Sequence, residues 1–369
     1  MNDRTNRVRS SLVILTLALA ACGDDSVGAG GSAGDSAGGA GGDGGAQASA
    51  GGTGGSGGEG TASGGGGAGG GAEAQAEVLA PLDPAAFEFP EGLYVDGDRA
   101  IVGFAFTGAL EAVDLATGAR TPLGAAPTPP QNTAFMTGVS LDSDDRILAA
   151  YVSFTDAAAP GIYRTAPGGG DASLWASAPE MVFPNGLAWG EDGRLFVTDS
   201  AYGGVFAVDA DGEVTSWVQD ELLSGAPTAC GQPADALPVG ANGLVWTPEG
   251  LLVASSDRGL LARVPFEVDG SAGALEVIAG PDCELLGGID GLTLDEDGTV
   301  IAAINRTNTL VRVDPAGGVE TIFSGPPLDF PASPMFGGQG SERALYVTSF
   351  ALGSFLGGGS PAPAIVRVR

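Results

Sequence analysis

One phrase returns along this chain at a nearly fixed interval. FPEGLYVDGDRA (89–100), FPNGLAWGEDGRLFVTD (183–199), ANGLVW (241–246) and IDGLTLDEDG (289–298) each place a small or polar residue before glycine and a β-rich run. The series is Glu91-Gly92, Thr137-Gly138, Asn185-Gly186, Asn242-Gly243 and Asp290-Gly291, with intervals of about 46 to 57 residues. A sixth, degenerate member is expected near Phe336-Gly337. A period of this length marks a stacked or radial array of supersecondary units. Within a unit, short runs of Val, Leu, Phe and Trp alternate with Asp-Gly turns, as in GLAWG, RLFVTDS, GVFAVDA and EVTSWVQ (186–219). This pattern reads as four antiparallel strands per unit. Six units of four strands predict an all-β, six-bladed β-propeller over residues 77–369. The last unit lacks a fourth strand, and AEVLAPL (76–82) resembles the missing one. An N-terminal strand that closes the last blade would remove an open sheet edge.

The first 76 residues do not share this pattern. Arg4, Arg7 and Arg9 precede the apolar run SLVILTLALA (11–20), which is short for a membrane span, and LAAC follows at 19–22. LAAC resembles a bacterial lipobox. Residues 1–22 are therefore expected to be a lipoprotein signal peptide, with Cys22 as the lipidated residue and lipid anchor. Residues 23–76 are dominated by Gly, Ala and Ser. Such a composition cannot offset its ordering entropy and reads as a disordered tether with a root-mean-square span of about 40 Å. Together these segments predict a cell-envelope lipoprotein at the outer membrane or periplasmic face.

Composition narrows the chemistry. The formal net charge is −30 and the pI about 4.1, which makes nucleic acid an unlikely partner. There is no histidine, and every one of the 15 basic residues is arginine. Ser-His-Asp and Cys-His catalysis are thereby excluded, as are histidine-based zinc sites. No serine sits in a G-x-S-x-G elbow. Acid–base work falls to Asp, Glu, Tyr, Cys or metal-bound water.

In a propeller the innermost strands surround a channel, and residues at their starts converge on one mouth. Glu91, Asn185, Asn242 and Asp290 would then form an oxygen-rich cluster suited to calcium or another hard divalent ion. Asn-Gly and Asp-Gly are also general turn formers, so blade architecture alone is a competing reading. Phe106, Tyr151, Asp199, Asn305, Arg306 and Phe350 lie near the ends of second strands. They are further candidates for the mouth, each with a structural role as its first reading. Cys230 and Cys283 fall in loops of neighbouring units at one rim. An exported chain can bond them, which would pin the insertion 220–241; the alternative is two separate thiols.

Residues 77–369 resemble the SMP-30/gluconolactonase/LRE family of calcium-dependent six-bladed propellers. The phrases quoted above carry the resemblance, with MFGG…ALYVTS (335–349) as its least generic part. The other phrases are shared with NHL-repeat propellers. The resemblance implies metal ligands at Glu91, Asn242 and Asp290, with Asn185 touching metal or substrate. It departs from the family at EGLYV, where EGPxW is usual, and at VFP before Asn185, where an arginine for sugar acids has no match. It implies a metal-dependent hydrolase of lactones or related esters, with Asp290 as general base. Asn185, Asp199 and Arg306 are then candidates for the small-molecule substrate. The protein is expected to be a monomer. Two other classes stay open: a non-catalytic periplasmic or surface binding propeller with a structural metal, and a lyase on the same scaffold.

Overall fold

The computed structural model describes residues 74–340 and 343–369. The signal, tether and Cys22 expectations fall outside these residues. Among the described residues, no helix is long and apolar enough to cross a membrane. The described residues are all-β apart from short helical turns and the five-residue helix Leu352–Leu356.

The innermost strands are Pro90–Asp96, Ala134–Leu141, Pro184–Trp189, Ala241–Thr247, Ile289–Leu294 and Pro331–Gly337. They lie side by side around a central channel, backbone against backbone. A Cβ on Gly92 would stand 2.5 Å from the Thr137 carbonyl oxygen, and one on Gly138 would stand 2.4 Å from that of Asn185. The same close approach recurs from Gly243 to Asp290 and from Gly291 to Ala332. The glycine of each repeat is therefore required by the width of the channel. Hydroxyls tie neighbours together: Thr137 Oγ1, on an inner strand, donates to the Pro184 carbonyl, and Thr348 Oγ1, on a second strand, donates to that of Glu91.

The expectation of six separate blades is corrected by the sheet pairing. Four sheets of four strands stand alone as propeller blades, and the other eight strands form one continuous sheet. Two antiparallel quartets, 90–125 and 134–176, are joined where Gly124 and Ala125 pair in parallel with Gly170 and Asp171. The joint depends on missing side chains: a Cβ on Gly124 would sit 2.0 Å from the Gly170 carbonyl oxygen. The sixth repeat member is also corrected. Ala332, not Phe336, occupies the position of Glu91 and Asp290, and Phe336-Gly337 lies at the far end of the same strand, opposite Leu345 and Ala344.

Strand Ala76–Pro81 pairs antiparallel with Ala364–Val368, from Ala76 against Val368 to Pro81 against Ala364. The core sits between neighbouring quartets. One cluster joins Leu93, Val102, Phe104 and Val113 to Tyr346 and Ile365, and thus links the first repeat to the last strands.

Candidate functional site

Each inner strand begins with a bulge, which turns one residue per strand toward the channel mouth. Those residues are Glu91, Asn185, Asn242 and Asp290, all buried. The two remaining positions hold Thr137, whose hydroxyl serves the backbone, and Ala332, which has no donor.

The residue following each second strand orients them. Asn185 Nδ2 donates to Ser200 Oγ at 3.2 Å, and Asn242 Nδ2 donates to Ser256 Oγ at 2.9 Å. The Ser200 hydroxyl in turn donates to the Ala241 carbonyl, and the Ser256 hydroxyl to that of Ile289. Asn242 Oδ1 is left without a partner. Asn305 stands at the corresponding place beside Asp290 and donates from Nδ2 to Asp290 Oδ2 at 3.1 Å. At this ring three buried oxygens lack any hydrogen-bond partner: Glu91 Oε2, Asn242 Oδ1 and Asn305 Oδ1.

Electrostatics sharpen this. Burial pushes the Asp290 carboxyl up to about 7, although hydrogen bonds from Asn305 and Asn242 pull the other way. Burial, and then the Asp290 charge, push Glu91 well above the usual carboxylate range. The arginine ion pairs among the described residues involve neither carboxylate. Two buried carboxyl groups with unpartnered oxygens around them call for a proton or a cation. The donor set of two carboxylates and neutral amide oxygens fits a hard divalent ion. Among the described residues there is no group of three or more His, Cys, Asp or Glu side chains arranged to hold a metal. Any cation here would therefore depend on the asparagines.

Several expected mouth residues are engaged elsewhere. Asp199 is fully buried, and its carboxylate accepts N–H bonds from Val182, Phe183, Ala201 and Tyr202. These bonds engage both oxygens, so that Asp199 fastens loops. Burial still raises its carboxyl to about 6. Arg306 pairs with the buried Asp257 at 2.7 Å, and its Nη1 is buried without an acceptor. Asp257 also accepts the N–H groups of Ala226 and Val239, so one carboxylate clamps both ends of the 226–239 insertion. Tyr151 belongs to the core, its ring tilted against that of Tyr163 with centroids 5.0 Å apart, and burial raises its hydroxyl to about 12. Cys230 and Cys283 form a disulfide with their Cα atoms 5.2 Å apart.

A cavity of about 330 Å³ opens on the channel beyond the buried ring, lined by Leu93, Val139, Leu187, Leu244 and Leu292. A larger cavity of about 470 Å³ is not at the ring; it lies between segments 153–160 and 177–182. The polar chemistry is at the ring, so volume alone would misplace the site.

Known structures of similar fold include a gluconolactonase from Xanthomonas campestris, 16% identical, with a TM-score of 0.55 over 80% of this chain and 90% of that one. The calcium-binding protein regucalcin from Agrobacterium tumefaciens is 19% identical, with a TM-score of 0.55 over 79% and 93%. A PQQ-bound aldose sugar dehydrogenase from Streptomyces coelicolor is 19% identical, with a TM-score of 0.52 over 81% and 99%. At these identities the likeness establishes the fold, and the fold hosts different chemistries. A comparison with curated protein sequences gives no match. The family model described as SMP-30/Gluconolactonase/LRE-like region matches residues 83–247 and 235–351, well over half of the sequence, and the chain belongs to that family.

Proposed function

We propose that this protein is a metal-dependent hydrolase of lactones or related esters, with calcium as the ion. The observation that carries the reading is the set of three unpartnered buried oxygens, on Glu91, Asn242 and Asn305, around the Asp290 carboxyl. Glu91, Asn242 and Asp290 would hold the ion, with Asn185 completing the shell or orienting the substrate. When bound, a divalent cation supplies a Lewis acid for the carbonyl and positive charge opposite a developing oxyanion. The chain's own contribution is positional and protolytic. Asp290 takes a proton from the attacking water as its oxygen bonds to the carbonyl carbon, and the ring C–O bond then breaks. That proton ends on the departing alkoxide. Asn305 holds Asp290 Oδ2 in place by its Nδ2–H bond. Arg306 Nη1, a donor without an acceptor, is available to the substrate's polar end. An export signal and lipid anchor at Cys22 would place this activity in the cell envelope, an oxidising setting consistent with the Cys230–Cys283 bond.

Asp290→Asn tests the roles separately, because it keeps an oxygen and removes the proton acceptor. Calcium titration calorimetry is expected to show weakened but measurable binding. Acid release from a lactone panel is expected to fall at least about 100-fold. Turnover like that of the wild type would remove Asp290 as base. A calcium-loaded wild type that opens no lactone would favour the binding-propeller reading.

A further inference from the structure

The mouth has two chemically different halves. The residue two places before each inward-turned position is Phe89, Phe135, Phe183, Gly240, Gly288 and Phe330 around the ring. Where it is glycine, polar groups fill the space: a Cβ on Gly288 would stand 2.5 Å from Asn305 Oδ1 and 2.6 Å from Arg306 Cγ. That sector carries Asn242 with Ser256 and Asp290 with Asn305, and it adjoins Asn185 with Ser200. On the other side, the place held by Ser200, Ser256 and Asn305 is held by Ala105 and Phe350. The shared pattern is an N–H bond to the residue two before the ring position, from Ala105 to Phe89 and from Phe350 to Phe330.

The aromatic half is continuous. Phe89 meets Phe106 at 5.5 Å, Phe106 meets Phe350 at 6.1 Å, and Phe350 meets Phe330 at 6.2 Å. This group packs on Ala332, the ring position without a donor. Phe135 packs against it too and also joins Phe154 and Phe183. Phe106, Phe135 and Phe330 are only half-buried. Phe330 has φ +52°, a left-handed conformation that costs a bulky residue on the order of 1 kcal/mol. The Asn308 side chain, accepting the Phe330 N–H at 2.7 Å, keeps it there.

From this division, and resting on the hydrolase reading above, we infer that the substrate is a lactone or ester bearing an alkyl or aryl substituent, not a polyhydroxylated sugar lactone. The carbonyl faces the Asn185–Asp290 sector, and the substituent lies on the phenylalanines. Aromatic side chains offer no partner to sugar hydroxyls, which would lose their bonds to water on entering. An alkyl chain gains from the same burial, at about three- to fourfold in affinity per methylene.

The test uses the calcium-loaded full chain and δ-lactones of one ring size: unsubstituted, with alkyl chains of increasing length, and polyhydroxylated. The kcat/KM is expected to rise about threefold per methylene until the surface is covered. The polyhydroxylated lactone is expected to fall at least tenfold below the longest alkyl one. Phe106→Asn and Phe135→Asn, checked for folding by their melting temperatures, should flatten the chain-length slope more than they lower activity on the unsubstituted ring. Calorimetry with the matching non-hydrolysable lactams provides a readout independent of turnover. Tighter binding of the alkyl lactam without any lactone opening would refute the hydrolase reading and keep the preference of the aromatic half for an alkyl-bearing ligand. Equal or tighter binding of the hydroxylated lactam would overturn the inference, whatever the activity.

Discussion

At the scale of single residues, the least conspicuous member of the site is Asn305. It lies outside the repeat phrase, at the end of a second strand, where a structural role is the natural reading. Its amide spans two functions: Nδ2 holds Asp290, and Oδ1 is left without a partner. Asn305→Ala should therefore weaken calcium binding by about 10- to 100-fold, the usual cost of losing a group that orients a metal ligand. Titration calorimetry would measure this, and an unchanged affinity would return Asn305 to a purely structural role. The signal that could have found it is positional. Ser200, Ser256 and Asn305 follow the second strands of three successive repeats, and each meets the ring residue of its own repeat. Asp199 gives the opposite lesson, since a carboxylate near the mouth can be consumed entirely by loop N–H groups.

At the scale of elements, the insertion after Gln219 is fixed beside the polar half of the mouth by two devices. The Cys230–Cys283 bond ties it to the loop before Asp290, and Asp257 gathers the Ala226 and Val239 N–H groups. The bond closes a loop with a sequence separation of 53, for which cross-linking stabilises by about 3–4 kcal/mol. Cys230→Ser with Cys283→Ser should lower the melting temperature by several degrees and expose 226–239 to proteolysis. A variant with unchanged melting and cleavage would show that Asp257 suffices. What was legible of these elements follows from their chemistry. The glycine after five of the six ring residues had to be glycine because neighbouring backbones approach to contact, so it recurs in the sequence as a period. The sixth member was misplaced because Ala332-Ser333 carries neither the polar residue nor the glycine, while Phe336-Gly337 imitates the phrase one turn of pairing away. The merged eight-stranded sheet was not legible at all. It depends on two backbone pairs at Gly124 and Ala125, in outer strands where glycine reads simply as a turn or a bulge.

At the scale of the whole molecule, the buried carboxyl pair couples stability to pH. Burial raises the Asp290 carboxyl from the ordinary 3.8 to about 7 in the folded chain, and burial with the Asp290 charge raises Glu91 as well. Between those values the folded state holds protons that the unfolded state has released. Stability of the metal-free protein should thus fall as pH rises from about 4 to 7, by roughly 1.4 kcal/mol per pH unit for each such proton. Calorimetric melting in chelator should show this decline. If calcium binds the deprotonated pair as proposed, excess calcium should abolish this decline, whereas a decline unaffected by calcium would separate the ion from these carboxyls. The all-β propeller was legible from the repeat because each unit has an apolar face that only neighbours can cover. The sheet-edge pairing that closes it has a mechanical side. Ala76–Pro81 is the outermost strand of its sheet, and Gln75 exchanges both N–H bonds with Arg369. A pull on the chain ahead of Gln75 enters the ring through this one strand and is resisted by its pairs with Ala364–Val368. Were they to part, the edge of Ala364–Val368 would open to solvent, ready to accept a strand from another molecule.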